Sequence, residues 1–105
     1  MPVLVTFTKS ERSNKKYVLR FLNPKFSIHF GSKNSSVFLD HKGETKKKNY
    51  IKRHQALNED WNSITPASAS RWLLWSGSSL EDNLKMYMKK FNIEDRRKDA
   101  NFFIL

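Results

Sequence analysis

Cysteine is absent from this 105-residue chain, and glycine and proline occur only three times each. The lack of cysteine excludes disulfides, thiolate zinc sites and a cysteine nucleophile. No glycine-rich loop is present to cradle a phosphate with backbone amides. No apolar run approaches the ~20 residues that span a bilayer, and the first residues lack the apolar region of a signal peptide. We therefore expect an intracellular protein with no transmembrane segment, and we predict no cofactor and no metal.

Positive charge dominates the composition. Lysine and arginine number 20 against 10 aspartates and glutamates, so the formal net charge is +10. A balance of this size favours nucleic acid, an anionic membrane or an acidic protein surface as partner. The length suits one domain with a single core. No serine-histidine-aspartate or paired-carboxylate arrangement stands out, so we predict a protein that is not an enzyme and has no small-molecule substrate.

The first part of the chain has the apolar spacing of β-strands. Val3, Val5 and Phe7 alternate with their neighbours, which predicts a short strand. Residues 17–22 and 25–30 predict an antiparallel hairpin. The hairpin turns at Asn23-Pro24, and its second strand carries Phe26, Ile28 and Phe30 on one face. Residues 37–39 predict a further short strand.

From residue 44 the apolar spacing becomes helical. Tyr50, His54, Leu57 and Trp61 fall on one stripe of a predicted helix, and residues 67–76 predict a second, short one. The third predicted helix starts at a capping-box pattern and carries Leu80, Leu84, Tyr87 and Phe91 on one face. Strands first and helices second indicate an α+β fold, with a small N-terminal antiparallel sheet followed by about three helices.

All three tryptophans lie within fifteen residues of one another. Tryptophan buries a large apolar area and often needs a partner for its N–H group, so we place the centre of the module here. The neighbouring arginines, Arg53 and Arg71, are either anion sites or internal partners of carboxylates and rings, and we favour the internal role. The predicted structural core comprises Tyr50, His54, Trp61, Arg71, Trp72 and Trp75.

Residues 42–53 carry six positive charges and one negative charge. Such a cluster either contacts phosphates, each of which adds salt-dependent affinity, or is a solvated helix face. Because no recognised DNA-reading motif is present, any nucleic-acid contact would be to the backbone and independent of sequence. The predicted contact residues, for nucleic acid or an acidic surface, are Lys46, Lys47, Lys48, Lys52 and Arg53.

Asp40-His41, Asn49 and His54 resemble, in type and order, the site of ββα-metal nucleases of the HNH type. In that family an Asp-His pair supplies a ligand and a base, an asparagine orients the base, and a helical histidine binds metal. The spacing from His41 to Asn49 is short for the family. His54 also falls on the apolar stripe, where a histidine bonded to a carboxylate is more common. A nuclease is therefore kept as an alternative behind the structural interpretation.

We predict one domain over residues 1–93 and a charged tail over residues 94–105 that ends in an apolar anchor. The anchor can fold back on its own domain or insert into a neighbour, and exposed apolar patches usually mark partner sites. The N-terminal strand can likewise add to a sheet edge elsewhere. The predicted docking residues are Phe102, Phe103, Ile104, Leu105, Val3 and Val5.

A series of short motifs suggests a family. In order they are Phe30-Gly31, Asp40-His41-Lys42, Lys48-Asn49-Tyr50-Ile51-Lys52-Arg53-His54, Glu59-Asp60-Trp61, Ser70-Arg71-Trp72-Leu73-Leu74-Trp75 and Leu80-Glu81-Asp82-Asn83-Leu84. Together they resemble a group of short, basic, mostly uncharacterised proteins of the large nucleocytoplasmic DNA viruses of algae and protists. The resemblance covers roughly residues 15–93. Around residues 66–69 this chain departs from the group's glycine-containing stretch, which leaves the start of the second helix open.

The resemblance implies a viral setting and carries no catalytic residues. Virions of this kind are large shells held together by many small minor capsid proteins. Our first hypothesis is therefore a minor capsid protein of the virion, which cements capsomers through its basic surface and its termini. Its partners would be the major capsid protein and neighbouring minor capsid proteins. The second hypothesis is a sequence-nonspecific nucleic-acid-binding protein that is packaged with, or acts on, the viral genome.

Overall fold

The structure, a computed structural model, describes residues 1–33, 43–76 and 79–97. Its elements are β1 (Val3–Lys9), β2 (Lys15–Leu22), β3 (Phe26–Ser32), α1 (Glu44–Ala56), α2 (Pro66–Ala69), a π-helical turn (Ser70–Leu74), α3 (Leu80–Lys90) and β4 (Glu94–Asp95). The strands form one sheet in the order β3-β2-β1-β4. Among the strands of the described residues, β1 and β4 pair in parallel and the other neighbours are antiparallel. The predicted α+β fold is confirmed, and no helix within the described ranges could cross a membrane.

The β2–β3 hairpin forms where the sequence predicts it. Asn23 takes a positive φ of 65° in the turn, a conformation that asparagine tolerates better than most residues. Phe21 pairs with Phe26 across the hairpin, and their rings stack 4.6 Å apart. The core-facing side of β3 carries Ile28 and Phe30. The strand predicted at residues 37–39 lies outside the described residues.

β1 departs from the simple alternation that its sequence predicts. Its register with β2 shifts between Leu4 and Thr6, as a β-bulge produces, so that Leu4 and Phe7 both join the core. Val3 is buried and pairs with Leu22 on one side and with β4 on the other. Both edges of the strand are thus occupied at Val3, which corrects its assignment as a partner-docking residue. Val5 is half-buried within the same strand.

The helix α1 stops before the end of its predicted apolar stripe. It ends at Ala56, and Asn58 then takes a positive φ of 59°, which is the left-handed conformation that terminates many helices. Leu57 is 66% exposed. The prediction that Leu57 and Trp61 continue the apolar stripe of α1 is therefore wrong. Trp61 lies in the loop that follows the helix.

The second predicted helix is two segments. Thr65 caps α2 and exchanges hydrogen bonds with Ser68, and the chain then widens into the π-helical turn. A π-turn bonds to i+5 instead of i+4 and commonly leaves backbone groups for other partners. Here the buried Asn83 of α3 donates its Nδ2 proton to the carbonyl oxygen of Leu73, at 3.0 Å.

The helix α3 carries most of the helical contribution to the core. Ser79 caps it by accepting a hydrogen bond from the Asp82 amide. Leu84, Tyr87 and Met88 are buried against the sheet-side core. Tyr87 and the equally buried Ser68 share a hydroxyl–hydroxyl hydrogen bond of 2.7 Å, and burial raises the pKa of Tyr87 to about 12.

The domain extends beyond residue 93. β4 adds to β1, and the following Arg97 side chain is only 5% exposed while it pairs with Asp95 and Glu81. Residues 94–97 therefore belong to the folded domain, and the predicted boundary is too early. The apolar anchor at Phe102, Phe103, Ile104 and Leu105 lies outside the described residues.

Candidate functional site

A cleft of about 670 Å³ opens between α1, the end of β3 and the α2–π-turn segment. We call it the α1 cleft. It combines rings, amide and hydroxyl groups, and cations. Its lining residues are Lys15, Phe30, Gly31, Ser32, Lys46, Asn49, Tyr50, Arg53, His54, Glu59, Pro66, Ala67, Ser70 and Trp75.

Gly31 allows the sheet to approach the π-turn closely at the base of the cleft. Its φ is +81°, and a Cβ atom there would lie 2.9 Å from Leu74 Cδ1 and 3.2 Å from Lys16 Cβ. Both the conformation and the space favour glycine. The close approach brings the end of β3 against the segment that carries Ser70 and Trp75.

Three stacked rings form one wall of the cleft. Tyr50 stacks on Trp75 at 4.3 Å and on His54 at 4.1 Å between ring centroids. Two rings that stack on the same ring occupy its opposite faces, so the order is Trp75–Tyr50–His54. Tyr50 and Trp75 are buried, whereas His54 is half-buried. Burial raises the pKa of the Tyr50 hydroxyl.

His54 is oriented by a carboxylate. Its Nδ1 lies 2.6 Å from Glu59 Oε2, and Trp61 donates its Nε1 proton to Glu59 Oε1 at 3.1 Å. Both oxygens of Glu59 are therefore engaged. This matches the carboxylate-bonded role that the sequence favours for His54 over a metal ligand.

Two of the four residues on which the nuclease hypothesis depends are not described by the structure. Asp40 and His41 lie outside the described residues, and Asn49 lines the α1 cleft. Over residues 1–33, 43–76 and 79–97, no group of three or more histidines and carboxylates could hold a metal ion. The assignment stays a prediction.

Arg71 takes the internal role that the sequence favours for both arginines, whereas Arg53 is exposed and that interpretation is wrong for it. The guanidinium of Arg71 lies 4.4 Å from the ring centroid of Trp72 and 5.3 Å from that of Trp61. It donates a hydrogen bond to the carbonyl oxygen of Trp75 at 3.0 Å. Desolvation by burial lowers the pKa of Arg71. Trp72 in turn donates its Nε1 proton to the carbonyl oxygen of Trp61 at 2.9 Å.

The six residues predicted as the core thus come together as two adjoining clusters, Trp75–Tyr50–His54 and Trp61–Arg71–Trp72. Only Tyr50 and Trp75 are buried, and the other four are half-buried. The fully buried centre lies elsewhere, among side chains of the sheet, the π-turn and α3. Its largest members include Leu4, Leu19, Phe21, Phe30, Leu73, Leu74, Leu84 and Tyr87. The two clusters therefore lie at the margin of the core, beside the cleft.

The five predicted contact cations lie on different sides of α1. Lys46 and Arg53 line the α1 cleft, as a spacing of seven residues on one helix face requires. Lys48 and Lys52 are four residues apart and form a second exposed stripe, whereas Lys47 is half-buried. Within the described part of the chain, no salt bridge involves any of the four exposed cations, which are Lys46, Lys48, Lys52 and Arg53.

Lys15 is a cleft residue that the sequence analysis missed. It lies at the start of β2 and pairs with Ser32 of β3, so the hairpin register brings it beside the cleft. No local signal marks it, because about thirty residues separate it from α1 in the sequence. Only the pairing of β2 with β3 reveals it. Ser70 is likewise brought in by the α2–π-turn segment.

The charge of the cleft suits an anion. Lys15, Lys46 and Arg53 contribute three positive charges, and Glu59 is the one carboxylate among the lining residues. The three cations outnumber this carboxylate, whose two oxygens already accept hydrogen bonds from His54 and Trp61, so the lining has an excess of positive charge. A concave site with aromatic walls and a few convergent polar groups is the usual form of a small-ligand site.

Comparison with protein families gives a partial match. The model of a family described as "Family of unknown function (DUF5754)" matches residues 5–54, just under half of the chain. The similar region spans most of β1, all of β2 and β3, and α1 as far as His54. It includes Lys15, Lys46 and Arg53 and ends before Trp61. No curated protein matches, and no solved structure matches.

Proposed function

We propose that this protein is a non-enzymatic binding protein that holds the phosphate backbone of nucleic acid without sequence preference. The observation that carries the proposal is the exposed cationic surface of α1. This helix buries only Tyr50, so its cations take little part in holding the fold. They are available to a partner, and the net charge of +10 attracts the same class of partner from a distance.

The spacing of the cations fits a phosphate backbone. Lys46 and Arg53 are seven residues apart, which on a helix corresponds to about 10 Å. Phosphates of one DNA strand rise about 3.4 Å each along the axis, so the two side chains can contact phosphates about three positions apart. Lys48 and Lys52 add a second row on the other side of the helix. Contacts of this kind fix position without reading bases.

The test is a fluorescence-anisotropy titration of labelled oligonucleotides at several salt concentrations. We expect the logarithm of the association constant to fall linearly with the logarithm of the salt concentration. Each neutralised phosphate releases counterions and contributes about −0.7 to −0.9 to the slope. The double variant Lys48→Ala, Lys52→Ala should reduce the magnitude of the slope by about 1 to 2.

The matched control for this pair is Lys85→Ala, Lys89→Ala. These two lysines are also exposed, are four residues apart and lie on α3, so the net charge changes equally. The control should leave the slope nearly unchanged. A salt-independent affinity, or an equal loss from both double variants, would contradict the assignment of α1 as the contact surface.

A minor capsid role in a virion is the second proposal. The resemblance of the sequence suggests the viral setting, and the exposed Lys48–Lys52 stripe could equally meet an acidic patch of a capsomer. Disruption of particles separates the two proposals: a capsid component should fractionate with the shell, and a genome-bound protein with the DNA. Cryo-EM of the intact particle that shows no density for the chain in the shell would remove the capsid role.

The nuclease remains a third hypothesis, with no support from the described geometry. A plasmid-nicking assay of the unchanged protein and of His41→Ala tests it. Nicking that His41→Ala abolishes would establish the activity and overturn the non-enzymatic assignment.

A further inference from the structure

We propose that the α1 cleft binds a single nucleotide unit, with its phosphate on the cationic rim and its heterocycle against the ring stack. The inference rests on the proposed function and deepens it, because it predicts that an unpaired nucleotide is the preferred form of the partner. The unit can be a free nucleotide or one residue of a single strand.

The size of the cleft suits one such unit. Its volume of about 670 Å³ lies within the range of roughly 300–1,000 Å³ typical of small-ligand sites. A base pair in a duplex is stacked on both sides and cannot enter without unpairing. The cleft thus discriminates between single strands and duplexes by shape alone.

The cations flank the cleft from two independent elements. Lys15 comes from β2, and Lys46 and Arg53 come from α1. An anion between the sheet and the helix would therefore have positive charge on both sides. Arginine and lysine are the side chains that most often contact phosphate, and arginine can do so through two parallel hydrogen bonds.

The rings supply the surface for a heterocycle. His54 ends the Trp75–Tyr50–His54 stack and is the most accessible of the three rings. Base–aromatic stacking is tolerant of base identity because every base has a π face. Glu59 holds His54 in place through its Nδ1, so the ring is oriented before a ligand arrives. Asn49 and Ser70 add groups that can both donate and accept hydrogen bonds.

The closing experiment compares four small probes by isothermal titration calorimetry and two-dimensional NMR. They are a nucleoside 5′-monophosphate, the matching nucleoside, ribose 5-phosphate and inorganic phosphate. A short single-stranded homopolymer and a duplex of equal length distinguish a free nucleotide from a strand. We expect the monophosphate to bind more tightly than the other three small probes, and the single strand more tightly than the duplex.

Two variants on different elements, β2 and α2, localise the site. Lys15→Ala should weaken monophosphate binding by about tenfold, as expected for the loss of one charge-assisted contact. The control Lys25→Ala removes an exposed cation in the β2–β3 turn and should change binding less than twofold. Ala67→Phe places a ring inside the cleft and should abolish binding, with a thermal melt to verify folding.

The outcomes separate this proposal from the function on which it rests. If the polymer binds with a steep salt dependence but the monophosphate does not bind, the cleft proposal is wrong and the backbone proposal stands. Equal affinity for monophosphate and inorganic phosphate would reduce the cleft to an anion site and overturn the nucleotide assignment. Absence of binding by both polymer and monophosphate would overturn both proposals.

Discussion

The helices α1 and α3 are similar in length and opposite in role. α1 has 13 residues and buries one of them, whereas α3 has 11 residues and buries four. α3 also begins with a side-chain cap from Ser79, but Gly43 provides no such cap to α1. The helix with the apolar stripe stabilises the fold, and the helix without one presents charge.

α1 is held by local helix preferences, by one buried ring and by two partly buried side chains, Ile51 and His54. Lysine, glutamate and glutamine favour helix, Glu44 lies in its first turn, and Arg53 and His54 lie in its last. The charges of Glu44 and Arg53 complement the helix dipole. Tyr50, its one buried side chain, stacks on Trp75, and the partly buried Ile51 packs against the core. A helix held in this way can change its surface charges without loss of the fold, which suits a binding element.

The substitution with the largest expected effect on the comparison creates a cavity beside α3. Leu84 is 0% exposed, and Leu84→Ala should lower the free energy of unfolding by about 4 kcal/mol because it removes buried methyl groups and leaves a void. Met86→Ala, on the 69% exposed side of the same helix, should cost less than about 0.5 kcal/mol. Urea denaturation measures both. Similar midpoints for the two variants would show that α3 does not stabilise the fold.

The second test concerns the attachment of residues 94–97 to α3. Arg97→Ala should lower the free energy of unfolding by about 3 kcal/mol, since it leaves Glu81 and Asp95 without their shared partner. Arg96→Ala removes a 66% exposed side chain and should change stability by less than about 1 kcal/mol. If chemical denaturation gave the two variants the same stability, residues 94–97 would be a loose tail after all.

The third test uses the pH dependence of the Ser68–Tyr87 contact between α2 and α3. Tyr87 has a pKa of about 12 in the folded state against a model-compound value of 10.0. Its contribution is fully present below pH 10 and is lost as the pH rises towards 12, because the unfolded chain loses the proton first. We expect a loss of about 2 kcal/mol across that window.

Tyr87→Phe removes the titrating hydroxyl and is the control for this loss. The variant should be less stable than the parent at pH 8, since the buried hydrogen bond between Tyr87 and Ser68 is lost. Its stability should then fall less between pH 10 and 12. Thermal melts in that range measure the difference, and parallel pH profiles of parent and variant would refute the assignment.

The smallest expected effect is on α1. Lys48→Ala, Lys52→Ala should change the free energy of unfolding by less than about 0.5 kcal/mol, although the same variant should weaken nucleic-acid binding. A stability loss as large as that of Leu84→Ala would mean that α1 is part of the structural framework. The comparison between the two helices would then fail.

Several parts of the fold could be predicted because their signals are local. The Phe26, Ile28, Phe30 alternation and the turn at Asn23 predict the hairpin, and the α3 stripe predicts a packed helix. The end of α1 was missed because the apolar spacing continues past Ala56, whereas the left-handed Asn58 ends the helix. The bulge in β1 has no local signature either, since the adjacent Leu4 and Val5 are both apolar and either could face the core.

The chain alone determined the α+β order of elements, the net charge and the proximity of the tryptophans, since these depend on composition and on short periodic patterns. The tertiary structure decided which cations share a surface and which arginine packs against the tryptophan rings. Pairing of β2 with β3 places Lys15 beside a helix that follows it by about thirty residues. The packing of α1 places the face with Lys46 and Arg53 beside the cleft, whereas Lys48 and Lys52 lie outside it. Contacts between residues distant in sequence arise from packing, and a pattern read along the chain carries no record of them.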